Sequence, residues 1–126
     1  MSMPNILIVE NDVNVRELAA TFLRGAGHAV AFADHAAAAL ASIEQDRPDV
    51  VITEILLKKL DGLSLCRHIK GNPAEPPIRI IVMSILAATV RSQEAGADLF
   101  LKKPLIQHRL VDAVSTVIKN HQGGVS

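Results

Sequence analysis

Residues 48–54 read Pro-Asp-Val-Val-Ile-Thr-Glu, a short run rich in β-branched residues that begins after a proline and stops at a carboxylate. Val, Ile and Thr favour extended backbone, and a run of this length suits a strand better than a helix. The run is apolar at nearly every position, which is typical of a parallel strand covered by helices on both faces. The segment therefore predicts a buried strand that leads directly to Glu54.

Similar apolar runs recur along the chain, with helix-like stretches between them. The five runs are Ile6–Val9, Ala29–Phe32, Val50–Thr53, Ile80–Met83 and Leu99–Leu101. Five strand-and-helix units in series predict an α/β protein with a doubly wound parallel sheet. We expect residues 1–120 to form one domain and residues 121–126 to form a flexible polar C-terminal end.

Capping residues mark the predicted helix ends. Gly25 and Gly27 follow the first helix, Asp34 precedes the helix Ala36–Gln45, and Gly96 follows the fourth helix. The last helix should pack on the sheet by one apolar stripe. That stripe consists of Ile106, Leu110, Val114, Val117 and Ile118.

The composition fits one globular domain of 126 residues, with 49% apolar and 21% charged residues. Thirteen basic and thirteen acidic side chains cancel, so we expect no general attraction to nucleic acid or to an anionic membrane. No apolar run approaches the roughly 18 residues of a membrane span, and the N-terminus lacks an export pattern. The single cysteine, Cys66, suits packing as a small apolar group in a reducing compartment. These features predict a cytoplasmic protein.

Polar side chains follow four of the predicted strands, at the edge where functional groups gather in such sheets. They are Glu10-Asn11-Asp12, Glu54, Ser84 and Lys103-Pro104. Carboxylates can hold Mg2+, a lysine supplies a fixed positive charge, and a hydroxyl can donate to a phosphoryl oxygen. Each residue alone has a simpler role as a helix cap, a turn residue or a surface charge. Together they predict a site for a divalent cation and a phosphoryl group.

In order and spacing, these features resemble the receiver domain of bacterial two-component response regulators over essentially the whole chain. The matching segments are residues 6–12, residues 48–54, Asp61-Gly62, Met83-Ser84, residues 96–101 and Lys103-Pro104. The resemblance implies a flavodoxin-like (βα)5 fold with strand order 2-1-3-4-5, and a signalling domain that is not an enzyme. It places the phosphoacceptor equivalent at Glu54, the switch residues at Ser84 and Phe100, and the family's lysine at Lys103.

Two residues of the predicted site depart from the family pattern. Glu54 stands where the family phosphorylates an aspartate, and Asn11 stands where it usually has a second acid that binds Mg2+. The additional methylene moves the carboxylate by roughly 1.5 Å, and a misplacement near 1 Å can cost on the order of 100-fold in a positioned reaction. We expect poor phosphotransfer and a degenerate, weak Mg2+ site at Glu10, Asn11 and Glu54, with no other cofactor. Lys58 replaces a proline that generally constrains the next loop in the family.

The leading hypothesis is a pseudo-receiver that works through protein contacts, because Lys103 can pair with Glu54 without a metal between them. Glutamate mimics phosphoaspartate only partly, since it carries about one negative charge where a phosphate carries nearly two. The partners would be a histidine kinase or an output or target protein. The resemblance places the output surface, and a potential homodimer interface, on the fourth helix, fifth strand and fifth helix. Its exposed contact candidates are Arg91, Glu94, Lys102 and Arg109.

Two alternative hypotheses stay open. The phosphorelay could still operate through residual Mg2+ binding, or through phosphorylation of Asp12 or Asp61, although a helix cap and a turn explain these two residues better. A flavodoxin-like nucleotide or flavin binder is less favoured, because the first loop is acidic where a phosphate cradle needs glycines. Gly25-Ala26-Gly27 also follows a helix and not a strand.

Overall fold

The computed structural model describes the backbone of residues 4–73 and 75–123 and the side chains of residues 4–73 and 75–119. Five strands form one parallel sheet in the order β2-β1-β3-β4-β5. The strands are β1 Asn5–Val9, β2 Ala29–Ala33, β3 Val50–Glu54, β4 Arg79–Ser84 and β5 Leu99–Lys102. All five predicted runs are strands, and the predicted fold class and strand order are confirmed.

Helices cover both faces of the sheet. They are α1 Val13–Gly25, α2 Ala36–Gln45, α3 Gly62–Gly71, α4 Thr89–Glu94 and α5 Gln107–Gly123. In β1, Ile6 and Ile8 pack with α1 and α5, whereas Leu7 and Val9 pack with α2, α3 and α4. Because successive side chains of a strand point to opposite faces, a central strand needs apolar residues at every position.

Several helix ends follow the predicted capping chemistry. The Asp12 side chain accepts hydrogen bonds from the amides of Asn14 and Val15 at the start of α1. Asp61 caps α3 in the same way by accepting from the amide of Ser64. Gly27 and Gly96 adopt φ angles of 96° and 100°, which glycine tolerates without steric cost.

The cap predicted at Asp34 is wrong. The residue at the N-cap of α2 is His35, and its side chain makes no capping hydrogen bond. Asp34 lies one residue earlier, and its carboxylate faces the His35 ring, with 2.6 Å between Oδ1 and Nδ1. The carboxylate is therefore engaged with its neighbour instead of the first turn of the helix.

Helix α5 packs as predicted along most of its apolar stripe. Leu110, Val114 and Val117 are buried, but Ile106 precedes the helix and is 37% exposed. The backbone is helical to Gly123, and the domain boundary at residue 120 stays a prediction. Residues 124–126 lie outside the described residues. Within the described part of the chain, no helix is both long and apolar enough to cross a bilayer.

Cys66 is fully buried in α3 and packs among apolar side chains, as its position in the sequence suggested. Burial raises the pKa of its thiol group to about 11. The thiol therefore stays protonated at neutral pH and behaves as a small core residue.

Candidate functional site

The site lies at the carboxyl edge of the sheet, between strands β1 and β3. This is the point at which the strand order reverses, and open α/β sheets place their functional groups there. Glu10 directly follows β1, and Glu54 is the last residue of β3. Ser84 ends β4 and pairs in register with Lys102, so Lys103 follows at the same edge. The topology thus brings four of the predicted site residues together.

Lys103 bridges the two buried glutamates. Its Nζ lies 2.6 Å from Glu10 Oε1 and 2.7 Å from Glu54 Oε1. Glu10 is 1% exposed and Glu54 is 4% exposed, so these charges are almost entirely removed from solvent. The sequence predicted the contact with Glu54 but not the contact with Glu10. One ammonium group therefore pairs with both carboxylates but offsets only one of their two negative charges.

The second oxygen of Glu54 is held by its own loop. Glu54 Oε2 accepts hydrogen bonds from the amides of Ile55 at 2.6 Å and Leu56 at 3.0 Å. The fully buried Ser84 side chain accepts a hydrogen bond from the Leu86 amide at 3.3 Å and lies near enough to Glu54 to help lower the pKa of its carboxyl group. Glu54 thus turns back onto the backbone that follows it, and both of its oxygens are occupied by donors.

These contacts shift the pKa values of two members of the site. Burial alone would raise the pKa of the Glu54 carboxyl group, but hydrogen bonds from Lys103, Ser84 and the Leu56 amide outweigh it and lower that pKa. Burial alone would lower the pKa of the Lys103 ammonium group, but its hydrogen bonds to Glu10 and Glu54 raise that pKa instead. Glu54 is therefore ionised and Lys103 is charged over the whole neutral range.

The carboxylate oxygens, in the positions that they occupy here, do not fit a directly bound Mg2+. Lys103 occupies the inner oxygens of both glutamates, while Glu10 Oε2 accepts from the Asp12 amide and Glu54 Oε2 from its own loop. Asn11 is exposed and makes no hydrogen bond to this cluster. Among the described residues, no group of three or more His, Cys, Asp or Glu side chains could hold a metal ion. The weak Mg2+ site predicted at Glu10, Asn11 and Glu54 stays a prediction.

The remaining predicted residues lie on β5 and on helices α4 and α5. Phe100 is partly buried and packs against the core on the side of α2, α3 and α4, and its switch role stays a prediction. The proposed contact residues of the output surface are all exposed: Arg91, Glu94, Lys102 and Arg109. The amides of Ile55 and Leu56 were missed in the sequence analysis, because a backbone group leaves no signal in the identity of its residue.

Fold and pocket together define a doubly wound signalling domain with an acidic pocket and a lysine at its topological switch point. The chain belongs to the receiver-domain family of two-component response regulators, since the family model for the response regulator receiver domain matches residues 6–115. This confirms the resemblance inferred from the sequence motifs.

Sequence relatives agree with this assignment. The chain is 34% identical over 122 residues to the transcriptional regulatory protein CseB of Streptomyces coelicolor, covering 95% of this chain and 52% of the relative. It is 31% identical over 115 residues to the response regulator MprA of Mycobacterium tuberculosis, covering 90% and 50% respectively. The chain thus spans about half the length of the curated relatives it matches.

Solved structures agree on the fold. A CheY-like receiver domain protein from Methanospirillum hungatei superposes with a TM-score of 0.89 at 25% identity, covering 98% of this chain and 99% of that one. The receiver domain of NtrX from Brucella abortus gives a TM-score of 0.83 at 31% identity, covering 90% and 98%.

Proposed function

We propose that this receiver domain signals without phosphorylation, as a protein-interaction module whose conformation is set by its own side chains. The observation that carries the proposal is the position of Lys103 between Glu10 and Glu54. A phosphorylatable receiver needs a free carboxylate oxygen as the nucleophile and a metal to neutralise the incoming group. Here both oxygens of Glu54 already accept hydrogen bonds.

The contact between Ser84 and Glu54 supports a preset conformation. In the family, the switch hydroxyl moves toward the phosphorylated side chain. Here the Ser84 side chain is already fully buried and lies near enough to Glu54 to help lower the pKa of its carboxyl group. Glu54 therefore takes part of the role of a phosphoaspartate, although it carries only about one negative charge.

The partners of such a module are proteins. We propose a histidine kinase or an output or target protein, with contacts on α4, β5 and α5. Arg91, Lys102 and Arg109 provide exposed cations on that surface, and Glu94 an exposed anion. The same surface is a candidate homodimer interface. No enzymatic activity is proposed, and the domain is not expected to bind nucleic acid or membranes by itself.

An amide NMR titration with Mg2+ and then beryllofluoride tests the proposal. The amides to follow are Glu10, Glu54, Ser84, Phe100 and Lys103. We expect no saturable shifts in the native protein, because each oxygen of Glu54 already accepts a hydrogen bond and Lys103 lies where a bound metal would supply positive charge.

The double variant Asn11→Asp/Glu54→Asp is the positive control. It shortens the acceptor and restores a second carboxylate, so it should respond to both reagents. Saturable shifts in the native protein that extend to Phe100 would instead support a working phosphorelay, and the proposal would fail.

A further inference from the structure

A cavity of about 330 Å³ lies at the amino edge of the sheet, at the end opposite to Glu54. It opens between the C-terminal ends of α2 and α3, beside the residues that lead into β3 and β4. Ligand pockets in proteins start at about 300 Å³, so the cavity has room for a small molecule.

The floor of the cavity is apolar. Ile69 and Ile78 are each 7% exposed, and Leu40 and Ile43 are partly buried. All four pack in the core that lies beneath α2, α3 and α4. These side chains can cover the hydrocarbon part of a ligand, and they offer it no hydrogen bond.

The rim of the cavity carries one acid and one base. Glu44 lies in the last turn of α2, Arg47 follows that helix, and both residues are exposed. In the part of the chain that the structure describes, neither forms an ion pair with the other or with any third residue. A ligand of a single sign would be attracted by one of these groups and repelled by the other. A ligand that carries both signs can pair with both.

The wall that α3 contributes is held in shape before a ligand binds. Asn72 donates from Nδ2 to the carbonyl oxygen of His68 at 2.9 Å and from its amide to that of Ile69 at 3.2 Å. Lys70 Nζ donates to the carbonyl oxygen of Ile78 at 3.0 Å, which ties the residue before β4 to α3. A preorganised wall loses little conformational entropy on binding, which favours affinity.

We propose that this cavity binds a small zwitterion with an apolar body, of the class of the apolar α-amino acids. The hydrocarbon side chain would lie on the apolar floor, the carboxylate would pair with Arg47, and the ammonium group would pair with Glu44. The proposal goes beyond the function proposed above and does not depend on it, because the cavity and the pocket of Glu54 lie at opposite edges of the sheet.

The helix ends at the cavity favour this ligand over a phosphate or a nucleotide. Both α2 and α3 reach the cavity with their C-terminal ends, at Gln45 and Gly71. A helix C-terminus carries a partial negative charge, which attracts an ammonium group and repels a polyanion. Phosphates are instead bound at helix N-termini, where free amides point at the ligand.

An amide NMR titration of the whole chain with phenylalanine tests the proposal. Saturable shifts should appear in residues 40–47 and 68–72 and at Ile78, with a Kd on the order of 1 mM. Phenethylamine lacks the carboxylate and 3-phenylpropionate lacks the ammonium group, so each should bind about fivefold more weakly, the upper end for an exposed ion pair. Alanine lacks the apolar body and should not saturate over the same concentrations.

The variants Arg47→Gln and Glu44→Gln assign the two charges. Arg47→Gln should weaken the binding of phenylalanine about fivefold and leave that of phenethylamine unchanged, because phenethylamine has no carboxylate. Glu44→Gln should weaken the binding of phenylalanine by a similar factor and leave that of 3-phenylpropionate unchanged. The matched controls are Arg67→Gln and Glu17→Gln, since both residues are exposed and lie outside the cavity. The controls should bind phenylalanine as the native protein does.

The absence of saturable shifts at millimolar phenylalanine, or shifts confined to other parts of the chain, would overturn the proposal. Equal binding of phenylalanine and alanine, or losses of the same size in the two control variants, would also overturn it. N-acetylphenylalanine amide has neither charge and represents a segment within a protein chain. If it binds as tightly as phenylalanine, the occupant is a peptide segment of a partner and not a free amino acid, and the proposal fails.

Discussion

At the scale of single residues, Lys103 decides the electrostatics of the pocket. Two carboxylates that are 1% and 4% exposed face its ammonium group, so each would otherwise be a buried charge without a counter-ion. A buried ion pair adds little net stability over an apolar replacement, but removal of one partner leaves the other charge uncompensated. Removal of Lys103 should therefore lower the stability by far more than the ion pairs themselves add to it.

Lys103→Met should lower the free energy of unfolding by about 3 kcal/mol at pH 7, because it leaves Glu10 and Glu54 without a cation. Urea unfolding followed by circular dichroism measures the change. Lys102→Met is the matched control, since Lys102 is exposed at the end of β5. The control should stay within about 0.5 kcal/mol of the native protein.

The cost of Lys103→Met should depend on pH. The pKa of Glu54 is lowered, so its pairing stabilises the native protein above the ordinary carboxyl pKa of about 4.3, and that stability is lost as the pH falls through the lowered value. The difference in the free energy of unfolding between the variant and the native protein should therefore become smaller at acid pH. A gap that stays constant from neutral to acid pH would assign the cost to lost packing of the lysine stem instead of to charge.

The sequence predicted the pairing of Lys103 with Glu54, but not its contact with Glu10 or the geometry of the pocket. Opposite charges at the same edge of the sheet predict that Lys103 reaches Glu54. The hydrogen bonds from the amides of Ile55 and Leu56 to Glu54 depend on a side-chain rotamer and on the path of the next loop. Neither the rotamer nor the path of the loop is encoded in a local sequence pattern. The sequence alone therefore could not predict that both carboxylate oxygens of Glu54 accept hydrogen bonds.

At the scale of elements, the start of α3 is fitted closely onto the end of β3. A Cβ atom built on Gly62 would lie 1.9 Å from the carbonyl oxygen of Glu54 and 3.0 Å from the Cα of Ile55. These are backbone atoms of a central strand and its loop, so they cannot move aside cheaply. A glycine is therefore required at position 62 because the backbone of α3 comes so close to the end of β3. Its backbone conformation is not the reason, since its φ angle lies outside the left-handed region.

Gly62→Ala should destabilise the protein by at least about 2 kcal/mol, because overpacking against backbone forces α3 away from the sheet. Thermal and urea unfolding measure the loss, and amide shifts at Glu54 and Leu56 should accompany it. Gly71→Ala in the same helix is the control, since a Cβ atom added there would meet no other part of the protein within 4 Å. It should stabilise the protein by about 0.5 kcal/mol through helix propensity. Equal effects of the two substitutions would contradict the close fit.

Elements were predicted more accurately at their centres than at their ends. Apolar runs located every strand to within one residue at each end, because burial on both faces leaves little choice of residue. The cap at Asp34 failed because that carboxylate had a competing donor in His35.

At the scale of the whole molecule, the sheet separates two apolar cores, one beneath α1 and α5 and the other beneath α2, α3 and α4. Each strand contributes alternate side chains to the two cores. The two cores therefore share the same strands, and a strand that leaves one core also leaves the other. We expect the domain to unfold as one cooperative unit.

Cys66 reports on that cooperativity, because it is fully buried in one core and its thiol pKa is raised to about 11. Labelling with a thiol reagent at neutral pH should require unfolding, so its rate should be lower than in the urea-unfolded chain by a factor on the order of 1,000 or more. The rate should rise with urea as steeply as global unfolding does. A Cys66→Ala/Ala37→Cys variant, with its thiol at an exposed position of α2, should react without delay. Rapid labelling of Cys66 that does not depend on urea would mean that α3 detaches while the sheet stays intact, and the two cores would then be independent.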